Sequence, residues 1–63
     1  MNWKNTEKDE LPEDMEEVLI SVDGVYYIST YHAQKKTFTV ENELQETFFK
    51  VGERQIYWVK HGE

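Results

Sequence analysis

Reactive chemistry needs a few residue types at short spacing, and this 63-residue chain is sparing with them. It has no cysteine, which excludes thiolate nucleophiles, thiolate metal sites and disulfides together. Its two histidines, His32 and His61, lie far apart, and neither sits in a ligand-spaced pair. Ser21 and Ser29 lack the flanking glycines of the sharp elbow that exposes a catalytic serine. Gly24, Gly52 and Gly62 are isolated, so no glycine-rich loop is available to cradle a phosphate. The acid pairs Glu13/Asp14 and Glu16/Glu17 could share acid–base work only if they lined a cleft, and a chain this short has little room for a saccharide groove. The expectation is therefore no catalytic, cofactor-binding or metal-binding residue. Only a deep pocket gathering two or more of His32, Glu41, Glu53 and Tyr57 would revive an enzyme reading.

The aromatic residues offer a different chemistry. Tyr26, Tyr31 and Tyr57, with Phe48 and Phe49, are of the type that stacks single-stranded bases. Such a site also needs a basic groove, and only Lys35, Lys36, Lys50, Arg54 and Lys60 are at hand in that part of the chain. The net charge is −6. Residues 1–23 hold eight acids and two lysines, whereas residues 24–63 hold five of each sign. All of the net charge thus falls in the first third, which disfavours nucleic acids and acidic membrane surfaces as partners. Two readings of that segment compete. It is a solvated arm that keeps an aromatic-rich domain soluble, or a surface for a basic partner, an acidic decoy of a DNA-binding protein being the sharpest form.

The elements that must hold these residues read as strands. Val18–Val22 and Val25–His32 are β-branched and aromatic runs around Asp23-Gly24, the composition of a two-residue type I′ hairpin. That turn sets the register: Val22 opposes Val25, Ser21 opposes Tyr26, Ile20 opposes Tyr27, Leu19 opposes Ile28 and Val18 opposes Ser29. Alternation then places Val18, Ile20, Val22, Val25, Tyr27 and Tyr31 on one face, the better core. Leu19, Tyr26 and Ile28 cluster on the other, either covered by another segment or open to a partner. Thr37–Glu41, Thr47–Val51 and Gln55–Lys60 are three further strands, with Lys35 and Lys36 as charges guarding a strand end. Residues 42–46 fit helix or loop equally. Pro12 starts a turn, or one helical turn over Pro12–Glu17.

The fold class that follows is all-β: one small domain over residues 1–63, an antiparallel sheet of about five strands, curled or a partly open barrel. Residues 1–10 form an extended acidic arm. Trp3 is out of place in a solvated arm, and pins it to the sheet, over the Leu19/Ile28 cluster. A chain of this size without a staple holds itself together by burying rings, each worth about 150–250 Å². No stretch approaches the ~18 apolar residues of a membrane span, and the first residues lack the basic and apolar run of a secretory signal, so the cytoplasm is the expected compartment.

The order of Trp3, Leu11-Pro12-Glu13, Val18-Leu19-Ile20, a glycine turn, a tyrosine-rich strand and a terminal strand with Trp58 resembles a family. It is a small phage- and prophage-encoded domain family of unknown function whose members read W…LP(E)…VL… and close on H-W-M-P-L-P. Trp3, Leu11, Pro12, Val18, Leu19 and Trp58 match; Tyr57 stands in place of the histidine, and Val59–Glu63 replaces the proline-containing tail. The resemblance implies a compact β-rich fold and a bacterial or phage setting, and no chemistry. The function expected is a non-catalytic module that binds an unidentified protein or itself, with Leu19, Tyr26 and Ile28 as the contact patch. The alternative is an acidic decoy or an aromatic single-strand binder.

Overall fold

The computed structural model describes residues 2–41 and 46–62. Among them six strands form: β1 (Lys4–Asn5), β2 (Glu17–Val22), β3 (Val25–His32), β4 (Thr37–Glu41), β5 (Glu46–Lys50) and β6 (Ile56–Lys60). Asp23 and Gly24 take left-handed backbone, with φ of 52° and 82°. Both central residues of a type I′ turn need this, and it matches the twist of the strands it joins. The β2–β3 register is the one that turn dictates, from Val22 opposite Val25 to Val18 opposite Ser29.

The sheet is antiparallel, in the order β1-β6-β2-β3-β4-β5, and its two end strands do not pair to close a barrel. The described residues include no helix, so the turn at Pro12 does not become helical. Residues 42–45 lie outside the described residues, and Glu46 opens β5. Lys35 and Lys36 guard no edge. They sit in the turn between β3 and β4, and β4 has a neighbour on both sides.

One face of the sheet is the core. Val18, Ile20, Val22, Tyr31, Phe38, Val40, Ile56 and Trp58 are buried there, with Leu11, Tyr27, Phe49 and Val51 packed against them. The rings meet at tilted angles, Tyr31 with Phe38 of the neighbouring strand at 4.8 Å and Tyr27 of β3 with Phe49 of β5, across β4, at 5.1 Å. Such pairs add to the gain from area burial. Val25 belongs to this face by register but is half exposed, because it sits at the tip of the hairpin.

The expected arm is part of the fold. Its Lys4 and Asn5 pair with Trp58 and Tyr57, adding an edge strand to the five anticipated. Residues 6–16 then return as a strap on the core. The Thr6 N–H donates to the Ile56 carbonyl at 3.0 Å, and the Trp58 indole N–H donates to the Glu10 carbonyl at 3.0 Å. Leu11 packs on the cluster and Pro12 is buried. At its end the strap joins the sheet through a bulge. The Met15 N–H donates to the Tyr31 carbonyl at 2.6 Å while the Tyr31 N–H donates to the Glu16 carbonyl at 3.0 Å, so two residues oppose one. Met15 carries φ 66°, the left-handed conformation usual for the first residue of such a bulge.

Several acids of the strap are also employed rather than merely solvated. Asp9 Oδ2 accepts from the Asn5 N–H and Glu16 Oε1 from the Glu13 N–H. Asp14 Oδ1 accepts from the Ala33 N–H across 19 residues of sequence at 2.9 Å, tying the strap to the β3–β4 turn. Short polar side chains that bond nearby backbone stabilise turns for this reason.

Candidate contact surface

The outer face is the reverse of the same strands, and the register lays it out. Tyr57, Ser21 and Tyr26 form one row across β6, β2 and β3; Val59, Leu19 and Ile28 form the next. Tyr26 is 65% exposed and Ile28 51% exposed, while Leu19 and Val59, flanked by strands on both sides, are half-buried. Trp3 reaches this face beside Tyr26, with ring centroids 5.8 Å apart. It therefore reaches the face that carries Leu19, Tyr26 and Ile28, with its ring against Tyr26. Phe48 of β5 lies on the same face across Thr39 and is 60% exposed. The three residues singled out from the sequence thus share one wall, Trp3, Tyr57 and Val59 extend it, and Phe48 stands apart from it across Thr39 and Thr30. Alternation in the last strand sets Tyr57 and Val59 opposite Ile56 and Trp58 without naming the buried side, and Phe48 carries no signal at all, because Phe48-Phe49 reads equally well in either phase.

Charges frame the wall. At the β2 end, His61 Nδ1 lies 2.9 Å from Glu17 Oε1, a contact joining the tail to β2. Arg54 and Asp23 pair at 2.6 Å between the β5–β6 and β2–β3 turns. These pairs are exposed and contribute little to stability.

A second feature of this side is a half-open hollow of about 870 Å³ beside the β3–β4 turn. His32 and Glu53 both line it, together with Thr30, Thr39 and Phe48. His32 is part-buried, its Nε2 at 2.9 Å from Thr39 Oγ1, and that hydroxyl donates onward to the Thr30 carbonyl at 3.4 Å. Such a chain orients the His32 ring through neutral oxygens. Tyr57 lies elsewhere, on β6. Within the described residues no group of three or more histidines, aspartates and glutamates is arranged to hold a metal ion.

On the opposite side, Lys4 lies with its ammonium 4.9 Å from the centre of the Trp58 ring and pairs with Glu10. The Lys4 hydrogen bond and charge hold the Glu10 carboxyl below its ordinary value. Burial, with the nearby Asp14 charge, pushes the Tyr31 hydroxyl up.

No protein-family model, curated protein or solved structure matches the chain. No helix among the described residues is long and apolar enough to cross a membrane.

Proposed function

We propose that the chain is a non-catalytic contact module of the phage or prophage kind that its residue order resembles, binding a protein partner or a second copy of itself. The single observation that carries this reading is the uncovered outer wall, where Tyr26 and Ile28 stay more than half exposed beside Trp3, Leu19, Val59 and Tyr57. A chain with few apolar residues to spare gains nothing in its own core from these. Contiguous exposed apolar surface on a small protein is characteristic of a contact site. Aromatic residues such as Tyr and Trp are the types that dominate contact energies. A cytoplasmic setting suits a core that needs no disulfide.

Comparison of the natural chain with a Tyr26→Ser, Ile28→Ser variant tests the reading. Both side chains are largely outside the core, so the variant keeps its fold by circular dichroism. The natural chain is expected to self-associate in sedimentation runs, or to retain a protein from bacterial lysate that the variant does not. A natural chain that stays monomeric and retains the same proteins as the variant would overturn it. So would salt-dependent binding of a labelled single-stranded oligonucleotide, which points to base stacking instead.

A further inference from the structure

The two edges of the sheet differ. β1 closes one side with two residues, while β5 presents five, Glu46 to Lys50, with no strand beyond it among the described residues. The direction of its backbone follows from one hydrogen bond. The Val51 N–H donates to the Lys36 carbonyl at 2.9 Å, one step past the Thr37–Lys50 pair. Hydrogen-bonded and non-bonded pairs alternate along an antiparallel ladder. Phe49 and Thr47 therefore turn their N–H and C=O groups toward β4, and Glu46, Phe48 and Lys50 turn theirs toward the open edge.

We propose that a second copy of this chain pairs with this edge, β5 against β5, antiparallel about a two-fold axis at Phe48. A contact of this kind uses the same patch on both copies, so the strand must be complementary to its own reversal. The sequence Glu46-Thr47-Phe48-Phe49-Lys50 is. Centred on Phe48, Glu46 faces Lys50 of the partner subunit at both ends, and Phe48 faces its own counterpart. The three outward-turned residues on each copy then meet as hydrogen-bonded pairs. Moving the register by two residues sets a charge against Phe48 and shortens the overlap; moving it by one sets outward groups against inward ones.

The side chains agree with the backbone. Glu46, Phe48 and Lys50 lie on the outer face, one residue apart in alternation, so both ion pairs and the ring pair fall on the same side of the joined sheet. Phe48 is 60% exposed, and neither Glu46 nor Lys50 has an ion-pair partner among the described residues. Chains that keep an edge unpaired protect it with proline, a bulge or a very short strand. β5 has none of these, and its one lysine, the usual guard, finds a glutamate when the strand is reversed. Cross-strand pairs of aromatic residues and of opposite charges are what stabilise an antiparallel ladder.

This inference deepens the self-association branch of the contact reading, but it stands on the β5 edge rather than on Tyr26 and Ile28, so the two fail separately. Sedimentation of the full chain from micromolar to millimolar concentration at low salt is the test. A dimer that weakens with added salt is expected. Lys50→Glu and Glu46→Lys should each weaken it by about tenfold or more, because both ends then carry like charges. An equimolar mixture of the two variants should recover the dimer, since every facing pair is again opposite in sign; this recovery also shows that both variants are folded. A monomer at every concentration overturns the proposal, as does a dimer indifferent to both charge changes. Loss of association in Tyr26→Ser, Ile28→Ser but not in the charge variants would assign self-contact to the outer wall and overturn it too.

Discussion

The inner and outer faces of the β2–β3 hairpin are built from alternate residues of the same strands, yet they have opposite fates. Val18, Ile20 and Val22 are buried at the centre of the core, whereas Ile28 and Tyr26 stand in solvent. Composition does not separate them, since both sets are apolar and rich in β-branched or aromatic residues. The difference is the strap. Residues 6–16 return on the inner face and bring Leu11 and Pro12 onto it, and nothing among the described residues does the same outside. Burial here is therefore decided by where a polar, acid-rich segment lands, and the apolar residues it leaves uncovered remain available for another molecule.

The comparison breaks most clearly by truncating one ring on each side of the line. Phe38 is fully buried and pairs with Tyr31. Phe38→Ala is expected to cost about 3–5 kcal/mol. A domain of this size has roughly 3–9 kcal/mol in total, so the variant should be largely unfolded in urea titrations that leave the natural chain folded. Ile28→Ser on the outer face should move the midpoint by no more than about 0.5 kcal/mol. Equal losses from the two would mean that the outer face is covered and the distinction false.

A smaller effect of opposite sign sharpens the same line. Ser29 sits on the inner face between Val18 and Val40, 3% exposed, with a hydroxyl that has no hydrogen-bond partner among the described residues. A buried hydroxyl without a partner costs about 1–3 kcal/mol of desolvation. Ser29→Ala should therefore stabilise the chain by about 1 kcal/mol in the same titration. A loss of stability would show that the hydroxyl is satisfied by water and that the inner face is wetter than its side chains suggest.

How far the sequence exposes this arrangement depends on whether the deciding contact is local. The β2–β3 hairpin is legible to the residue, because Asp23-Gly24 permits one turn type and the turn permits one register. The inward set Val18, Ile20, Val22 and Tyr31, and the outward set Leu19, Tyr26 and Ile28, follow by alternation. β1 is not legible. Lys4-Asn5 has no strand propensity and is held by Trp58 and Tyr57, more than 50 positions away in the chain. The same is true of Glu10 as the acceptor for the Trp58 indole and of Asp14 as the acceptor for Ala33. Reading the first segment as charge hides that its carboxylates and carbonyls are acceptors. Trp3 and Leu11-Pro12 were the visible trace of the strap, apolar residues in a stretch that otherwise had no need of them. The free edge at β5 depends on strand order, which alternation does not encode.

The strap itself gives the finest division between the faces, and its effect is the smallest. Glu10 is exposed, and its carboxyl is lowered by the hydrogen bond and charge of Lys4, the same side chain that lies over Trp58. A carboxylate with a depressed folded value contributes stability above its ordinary range, near 4.5, and loses it as pH falls through the lowered folded value. In low salt, then, stability should decline with acid more steeply for the natural chain than for Glu10→Gln, with the two curves converging at the lowest pH. Added salt should shrink the difference, because an exposed pair is screened within roughly 10 Å at 0.1 M. Curves that stay parallel from neutral pH down would mean that the Lys4–Glu10 pair does no work in holding the strap over Trp58, leaving the Trp58 indole bond and Leu11 to seal the inner face.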